Sequence, residues 1–215
     1  MARAAARPRA YHHGNLRQAL VQAALRLAEQ KGPEGVSVRE AARALGVSPA
    51  APFRHFPNRR ALMTAVAEEA AERLRIEVGK ATGRGGSGGG LARLRAIGRG
   101  YLQWALRYPA HFRIVSARDQ IDLAGSPGLR AGIDEVRQQT LDALRAAQAQ
   151  GQLRPEPSVD ALALLARACA YGLARMQLDG HLPQWGVAPG QEEAAMDATL
   201  TLLIDLMAGP PEAKG

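Results

Sequence analysis

From Ser37 to Arg59 the chain reads SVREAARALGVSPAAPFRHFPNR, and its side chains are of the kinds that reach nucleic acid. A guanidinium such as that of Arg54 forks onto guanine O6 and N7 or onto a phosphate. The Ser48 hydroxyl bonds bases or backbone, and the Ala50 and Ala51 methyls offer contacts to thymine. Two short helices joined by a glycine turn must position these groups. Ser37 and Glu40 have capping-box spacing, hydroxyl to the third amide and carboxylate back to the Ser37 amide. Ala41, Ala42 and Leu45 form a compact apolar face, and Gly46 tolerates the left-handed backbone that ends a helix. Ser48-Pro49 then restarts the chain as N-cap and first-turn proline. Small Ala41 and Ala42 allow two helices to cross closely over a short turn. Spacing alone leaves open an ordinary αα-corner in any helical protein.

The charge distribution favours nucleic acid. Residues 1–60 hold eleven Lys/Arg against three Asp/Glu, whereas residues 61–215 hold seventeen of each sign, so the net +8 lies wholly in the first sixty. Concentrated positive charge attracts a polyanion and releases counterions on binding. A sequence-nonspecific DNA-binding structural protein or an anionic membrane-surface protein would also carry such charge. The first helix, however, places Leu16, Ala19, Leu20, Ala23 and Leu27 on a narrow stripe suited to a small core, without large aromatic anchors.

With 47% hydrophobic and 22% charged residues, 215 residues are enough for one large or two smaller globular domains. The lone cysteine, Cys169, excludes an internal disulfide framework and a multi-cysteine zinc site. No apolar run approaches membrane-spanning length and MARAAARPRAY lacks a signal-peptide core, so a cytoplasmic location is expected. His12 and His13 have no carboxylate or thiol at ligand spacing, and no metal or cofactor is expected. Phosphate-binding glycine loops, paired metal motifs and a nucleophile elbow are likewise missing from the sequence, which argues against an enzyme.

The block from Tyr11 to about Ala70, with NLRQALVQAALRLAEQKG, SVREAARALGVS and FRHFPNRRAL in order, resembles the DNA-binding domain of TetR-family transcriptional regulators. YHHGNLR and AAPFRHF resemble a subgroup whose C-terminal ligand domain carries a Trp and a His-Gly pair. The resemblance implies that the start of the second short helix enters the major groove, with Ser48, Ala50, Ala51 and Pro52 nearest the bases and Arg54 on a base or phosphate. His55 and Arg59 match family positions that hold phosphates, as do the starts of the flanking helices at Ser37 and Asn58, with Arg39 reaching the backbone. Phe53 stands where the family usually has a tyrosine, and Pro52 should distort the helix start. The subgroup marker is altered: in ARACAYGLARMQLDG, Gly172 is kept, Tyr171 replaces the histidine and the tryptophan is gone.

An all-α fold of about nine helices follows from the periodicity. It divides into a basic arm (1–13), a helix-turn-helix head (14–60), a connecting helix (61–82), a Gly-rich loop (83–90) and a body (91–208). The loop, GRGGSGGG, suits a helix connection within a compact body as well as a hinge. Caps are expected at Asn15, Asn58, Ser126 and Ser158. The resemblance implies a small-molecule pocket in the body, and Trp104, Tyr108, His111, Phe112, Cys169, Tyr171 and Met176 are candidates to line it or to plug it as core, with Trp185 among the few other large side chains. Arg167 and Arg175 could bind a carboxylate or lie as surface charges.

The last two helices are apolar around much of their circumference. Leu162, Leu165, Leu173, Leu200, Leu203, Ile204 and Met207 are candidates for a homodimer interface, or for absorption into a monomeric core. Dimerisation has a functional reason, since two heads on a twofold axis read a pseudo-palindrome. The family resemblance adds a four-helix-bundle dimer, operator DNA as partner, and a small-molecule effector that releases it.

Overall fold

The computed structural model describes residues 16–84 and 88–209. The basic arm, His12, His13 and the Asn15 cap lie outside the described residues. Within them the chain forms eight α-helices: α1 (Leu16–Lys31), α2 (Val38–Leu45), α3 (Arg59–Arg84), α4 (Gly89–Arg107), α5 (Pro109–Ser116), α6 (Pro127–Ala149), α7 (Val159–Leu178) and α8 (Glu192–Met207). The ninth expected helix is instead a 3-10 turn, Ala51–Arg54.

The caps follow the local chemistry. Ser37, Ser126 and Ser158 each accept an amide of the third helical residue, from Glu40, Leu129 and Ala161 at 3.0, 3.1 and 3.4 Å. Asn58 accepts the Ala61 amide at 2.9 Å. Gly46 ends α2 at φ 66°, as its lack of a Cβ permits. The capping box is only half formed, because the Glu40 carboxylate turns forward to the Arg43 guanidinium instead of back to Ser37.

α1 is buried over more of its circumference than a single stripe. Val21, Ala24, Leu25 and Ala28 are covered along with the expected Ala19, Leu20, Ala23 and Leu27. α2, α3 and α5 all pack against it, so no broad apolar face remains for a bilayer. Phe56 completes the head core with Val36, Val38 and Leu62, and Arg17 lies over its ring at 5.3 Å. At 1.5 Å per residue, the 26 residues of α3 run for ~39 Å, and they pass from this core into the body against α4, α5 and α6.

Gly89 and Gly90, expected in the loop, open α4. A Cβ on Gly90 would meet Ala147 N at 2.2 Å and Ala143 O at 2.4 Å, so glycine is what lets α4 begin against the α6 backbone. Gly90→Ala should therefore destabilise the fold by about 1–3 kcal/mol, as overpacking against rigid backbone does. Chemical denaturation measures this as a lowered midpoint with unchanged slope.

Candidate nucleic-acid interface and effector-binding body

The two prolines of SPAAPFR decide the shape of the reading element. An α-helix starting at Ser48 would need an amide on residue 52 to bond the Ser48 carbonyl, and Pro52 has none. The carbonyl is taken instead by Ala51 N at 3.1 Å, a three-residue step. Pro52 O then receives both His55 N and Phe56 N at 2.9 Å, closing the turn. The 3-10 turn consequently takes Ala50, not Ser48, as its N-cap, with no side-chain cap bond.

This turn presents one outward face. Ser48, Pro49, Ala50, Phe53, Arg54 and His55 are exposed, with Arg39 and Arg43 exposed on α2 beside them. Ala51 and Ser37 are half-buried. Pro52, expected near base edges, is buried, because the tightened turn rolls its ring inward. Phe53 is outward and 40% exposed, an aromatic surface among cationic and hydroxyl groups, while Phe56 is inward. Arg43 belongs to this face by the spacing that placed Arg39 there, yet the sequence reading passed over it.

Arg59 has a different position. Its Nε donates to Val36 O at 2.8 Å, and its Nη2 donates to Pro33 O at 2.6 Å and to Gln120 Oε1 at 2.8 Å. The phosphate contact expected of Arg59 gives way to a tether, since two backbone carbonyls and a side-chain amide already hold its fork. Its neighbour Arg60 donates to Ile121 O at 3.0 Å, and Thr64 Oγ1 accepts Asp122 N at 2.8 Å. Ser126 Oγ donates to Glu68 at 2.7 Å. Residues 120–126 of the body are thus fastened along the first three turns of α3, a joint that the sequence did not reveal.

In the body the expected aromatic residues do come together. Trp104 lies 6.1 Å from Phe112, Phe112 lies 5.5 Å from Tyr171, and Tyr108 lies 5.4 Å from His111, centroid to centroid. Tyr101, missed in the sequence reading, joins Trp104 at 5.6 Å. They form a filled cluster and not the wall of a large cavity. Cys169 and Met176 are half-buried at its edge, and burial raises the Cys169 thiol above its ordinary range. Trp185 is exposed in the turn between α7 and α8, well placed for neither core nor pocket.

Two openings flank this cluster. A crevice of about 50 Å³ between α4, α6, α7 and α8 is lined by apolar side chains with Tyr101 and Arg167. A wider groove of about 830 Å³ runs between α3, α4 and the start of α8, where Glu77 pairs with Lys80 and Arg99 with Asp197.

Buried in the same region, His111 has no hydrogen-bond partner at either ring nitrogen, and Trp104 Nε1 has none. Burial depresses the His111 pKa below 6.5; Glu69 opposes that shift and Arg73 adds to it. An unfolded chain therefore takes up a proton near pH 6.5 that the folded imidazole resists. Stability should be complete above that pH and fall as pH drops below it, with a slope of up to about 1.4 kcal/mol per unit. His111→Leu should flatten this acid limb in denaturant titrations taken from pH 7 to pH 5.

The outer faces of α7 and α8 correct the expected interface. Leu162, Leu173, Leu200, Ile204 and Met207 are buried within the chain, because their three- and four-residue spacing turns them inward, α7 onto α4 and α6 and α8 onto α4 and α7. Leu203 is half-buried. The leucines left outside are Leu164, Leu165, Leu202 and Leu206, 70%, 48%, 58% and 61% exposed. Ala161, Ala168, Ala194 and Ala198 continue the same uncovered surface. One chain does not absorb both helices.

Comparison with known proteins agrees with this architecture. A family model described as "Bacterial regulatory proteins, tetR family" matches residues 20–66, and one described as "Tetracyclin repressor-like, C-terminal domain" matches residues 94–203. No curated protein matches the chain. Among solved structures, a protein with unknown function from Rhodococcus sp. RHA1 is 28% identical, with a TM-score of 0.78 over 94% of this chain and 100% of that one. The ketosteroid transcriptional regulator KstR2 of Mycobacterium tuberculosis is 16% identical, with a TM-score of 0.66 over 93% and 98% of the two chains. The regulator PfmR from Thermus thermophilus is 20% identical, also at 0.66, over 86% and 93%. The last two likenesses concern the fold.

Proposed function

The chain belongs to the TetR family of DNA-binding transcriptional regulators, and on that premise we propose that it is a homodimeric repressor released from a pseudo-palindromic operator by a small-molecule effector. The family is one of regulators and not of enzymes. The observation that carries the reading is the outward face of Ser48, Ala50, Phe53, Arg54 and His55 at the 3-10 turn, with Arg39 on α2 beside it, in the segment that holds the whole net charge.

On this reading the exposed face enters the major groove. Arg54 bonds a guanine edge or phosphate, Ala50 and half-buried Ala51 pack on thymine methyls, and His55, Arg39 and the start of α2 at Ser37 fix the backbone. With few side chains for direct base contacts, the protein leans on phosphate contacts and DNA shape. The uncovered leucines of α7 and α8 pair two chains and set the spacing of the heads. An effector in the body favours a head spacing that no longer fits the operator, a population shift transmitted through the α3 joint. Repression is favoured because a bound dimer blocks polymerase without a further contact surface. A cytoplasmic location accords with this role, and no described helix is long and apolar enough to cross a membrane.

Competition binding tests the proposal. The purified protein should retain DNA from upstream of its own and adjacent genes against unrelated competitor, by roughly a thousandfold or more. Equal affinity for both at several salt concentrations would leave only a sequence-nonspecific DNA-binding role.

A further inference from the structure

The large apolar side chains left exposed among the described residues are Ile76, Trp185 and four leucines in the body, and Phe53 alone in the head. The head core does not need that ring. Phe56, three residues on, supplies the buried aromatic side chain, 2% exposed, and packs with Val36, Val38 and Leu62. Phe53 lies outside this cluster. Among the described residues no aromatic ring or guanidinium stacks on it.

The turn decides where the ring points. A 3-10 helix has three residues per turn, so side chains three apart lie one above the other along one edge. Ala50 caps the turn Ala51–Arg54 with helical dihedrals, φ −85° and ψ −26°, and this sets the Ala50 methyl and the Phe53 ring on a common edge. Both are exposed, whereas Pro52 is buried and Ala51 half-buried on the other two edges. Pro49, next to Ala50, is exposed as well. The result is an apolar strip within a face that also exposes Arg39, Arg54 and His55.

The cationic groups draw phosphates to this face, so the partner that covers the strip is DNA. A benzene ring has no donor or acceptor for a phosphate oxygen or a base edge. It contributes only where the groove is itself apolar, and in the major groove that place is the C5-methyl of thymine. We propose that Phe53 sets a sequence preference by packing on a thymine methyl, which fixes one T·A pair in each half-site. The assignment rests on the operator reading above and deepens it. Arg54 and His55 have phosphates open to them on any sequence, whereas the ring has a partner only where a methyl projects.

Uracil provides the test, because it lacks the C5-methyl of thymine and keeps every hydrogen-bonding group. The full-length protein is first used to select sites from a random duplex pool. Thymines of the selected site are then replaced by uracil, one symmetric pair at a time. Covering one methyl is worth roughly fourfold in affinity, so the pair beneath Phe53 should cost the wild-type dimer roughly fifteenfold. Phe53→Ala should lose at least as much on the thymine site and nothing further on uracil at that pair. Phe53→Leu, which keeps an apolar contact, should retain most of the discrimination. Phe53→Ala should also leave the salt dependence of binding unchanged, since no phosphate contact is lost. A thymine-to-uracil ratio the same in Phe53→Ala as in wild type, or a shallower salt slope in that variant, would overturn the proposal. If the pool yields a site whose affinity ignores every methyl, only the Phe53 assignment falls. If it yields no preferred sequence, the operator reading falls and the Phe53 assignment with it.

Discussion

Arg59→Ala should lower the stability of the protein by about 3 kcal/mol and weaken DNA binding on every sequence alike. The side chain makes three hydrogen bonds, to Val36 O, Pro33 O and Gln120 Oε1, and bonds from a charged group contribute about 1.5–3 kcal/mol each before partial replacement by water. The losses are not additive, because the three acceptors share one guanidinium, and this keeps the sum near the value of one to two bonds. Without the tether, the segment leading into α2 and the turn at residue 120 lose their common anchor on α3. Arg59→Lys should recover only a minor part, since a point charge cannot serve three acceptors arranged around a planar fork. The salt dependence of DNA binding distinguishes the tether from a phosphate ligand. A tether leaves the slope of log affinity against log salt unchanged, whereas each lost phosphate contact makes it shallower by about 0.9.

Leu165→Arg combined with Leu202→Arg should convert the protein to a folded monomer and reduce affinity for a full operator by about 10²- to 10⁴-fold. Both leucines lie on the uncovered surface of α7 and α8, so arginine there disturbs no packing within the chain. At a dimer interface it would place like charges against each other across the twofold axis. The affinity falls because two linked heads enjoy a high effective concentration that a single head lacks. Light scattering after size exclusion reports the mass, and binding to an isolated half-site should change little. By contrast, Leu200→Ala and Ile204→Ala lie inside the chain, and each should cost about 2–5 kcal/mol of stability, with loss of dimer only as a consequence.

The helix ends were legible in the sequence wherever the signal was local. Ser37, Gly46, Asn58, Ser126 and Ser158 act through bonds within three or four residues, and each stands at the helix end its chemistry implied. Pro52 announced distortion as well, but its full consequence needed the competition for the Ser48 carbonyl to be followed through. The exposure of Ser48, Ala50, Phe53, Arg54 and His55 and the segregated charge were visible for the same reason. What stayed hidden depends on distant partners. Arg59 looks like a surface cation until Gln120, sixty-one residues away, is seen beside it. For α7 and α8, apolar content left open whether the chain's own core or a second copy covers them, and did not show which leucine faces which. Leu162 and Leu173 turn inward while Leu164 and Leu165 turn outward, a difference of helix rotation set by α4 and α6. Tyr101 was missed because its partners Phe112 and Arg167 reach it from other helices.

The central claim is that two copies of this chain place two reading turns on one DNA face. Footprinting of the purified protein on the intergenic DNA upstream of its own gene, read at single-base resolution on both strands, tests it most directly. The expected result is a pair of symmetry-related protected half-sites whose centres lie about one helical turn or a multiple apart, ~34–36 Å per turn. Protection confined to a single half-site, or spread evenly along the fragment without symmetry, would contradict it.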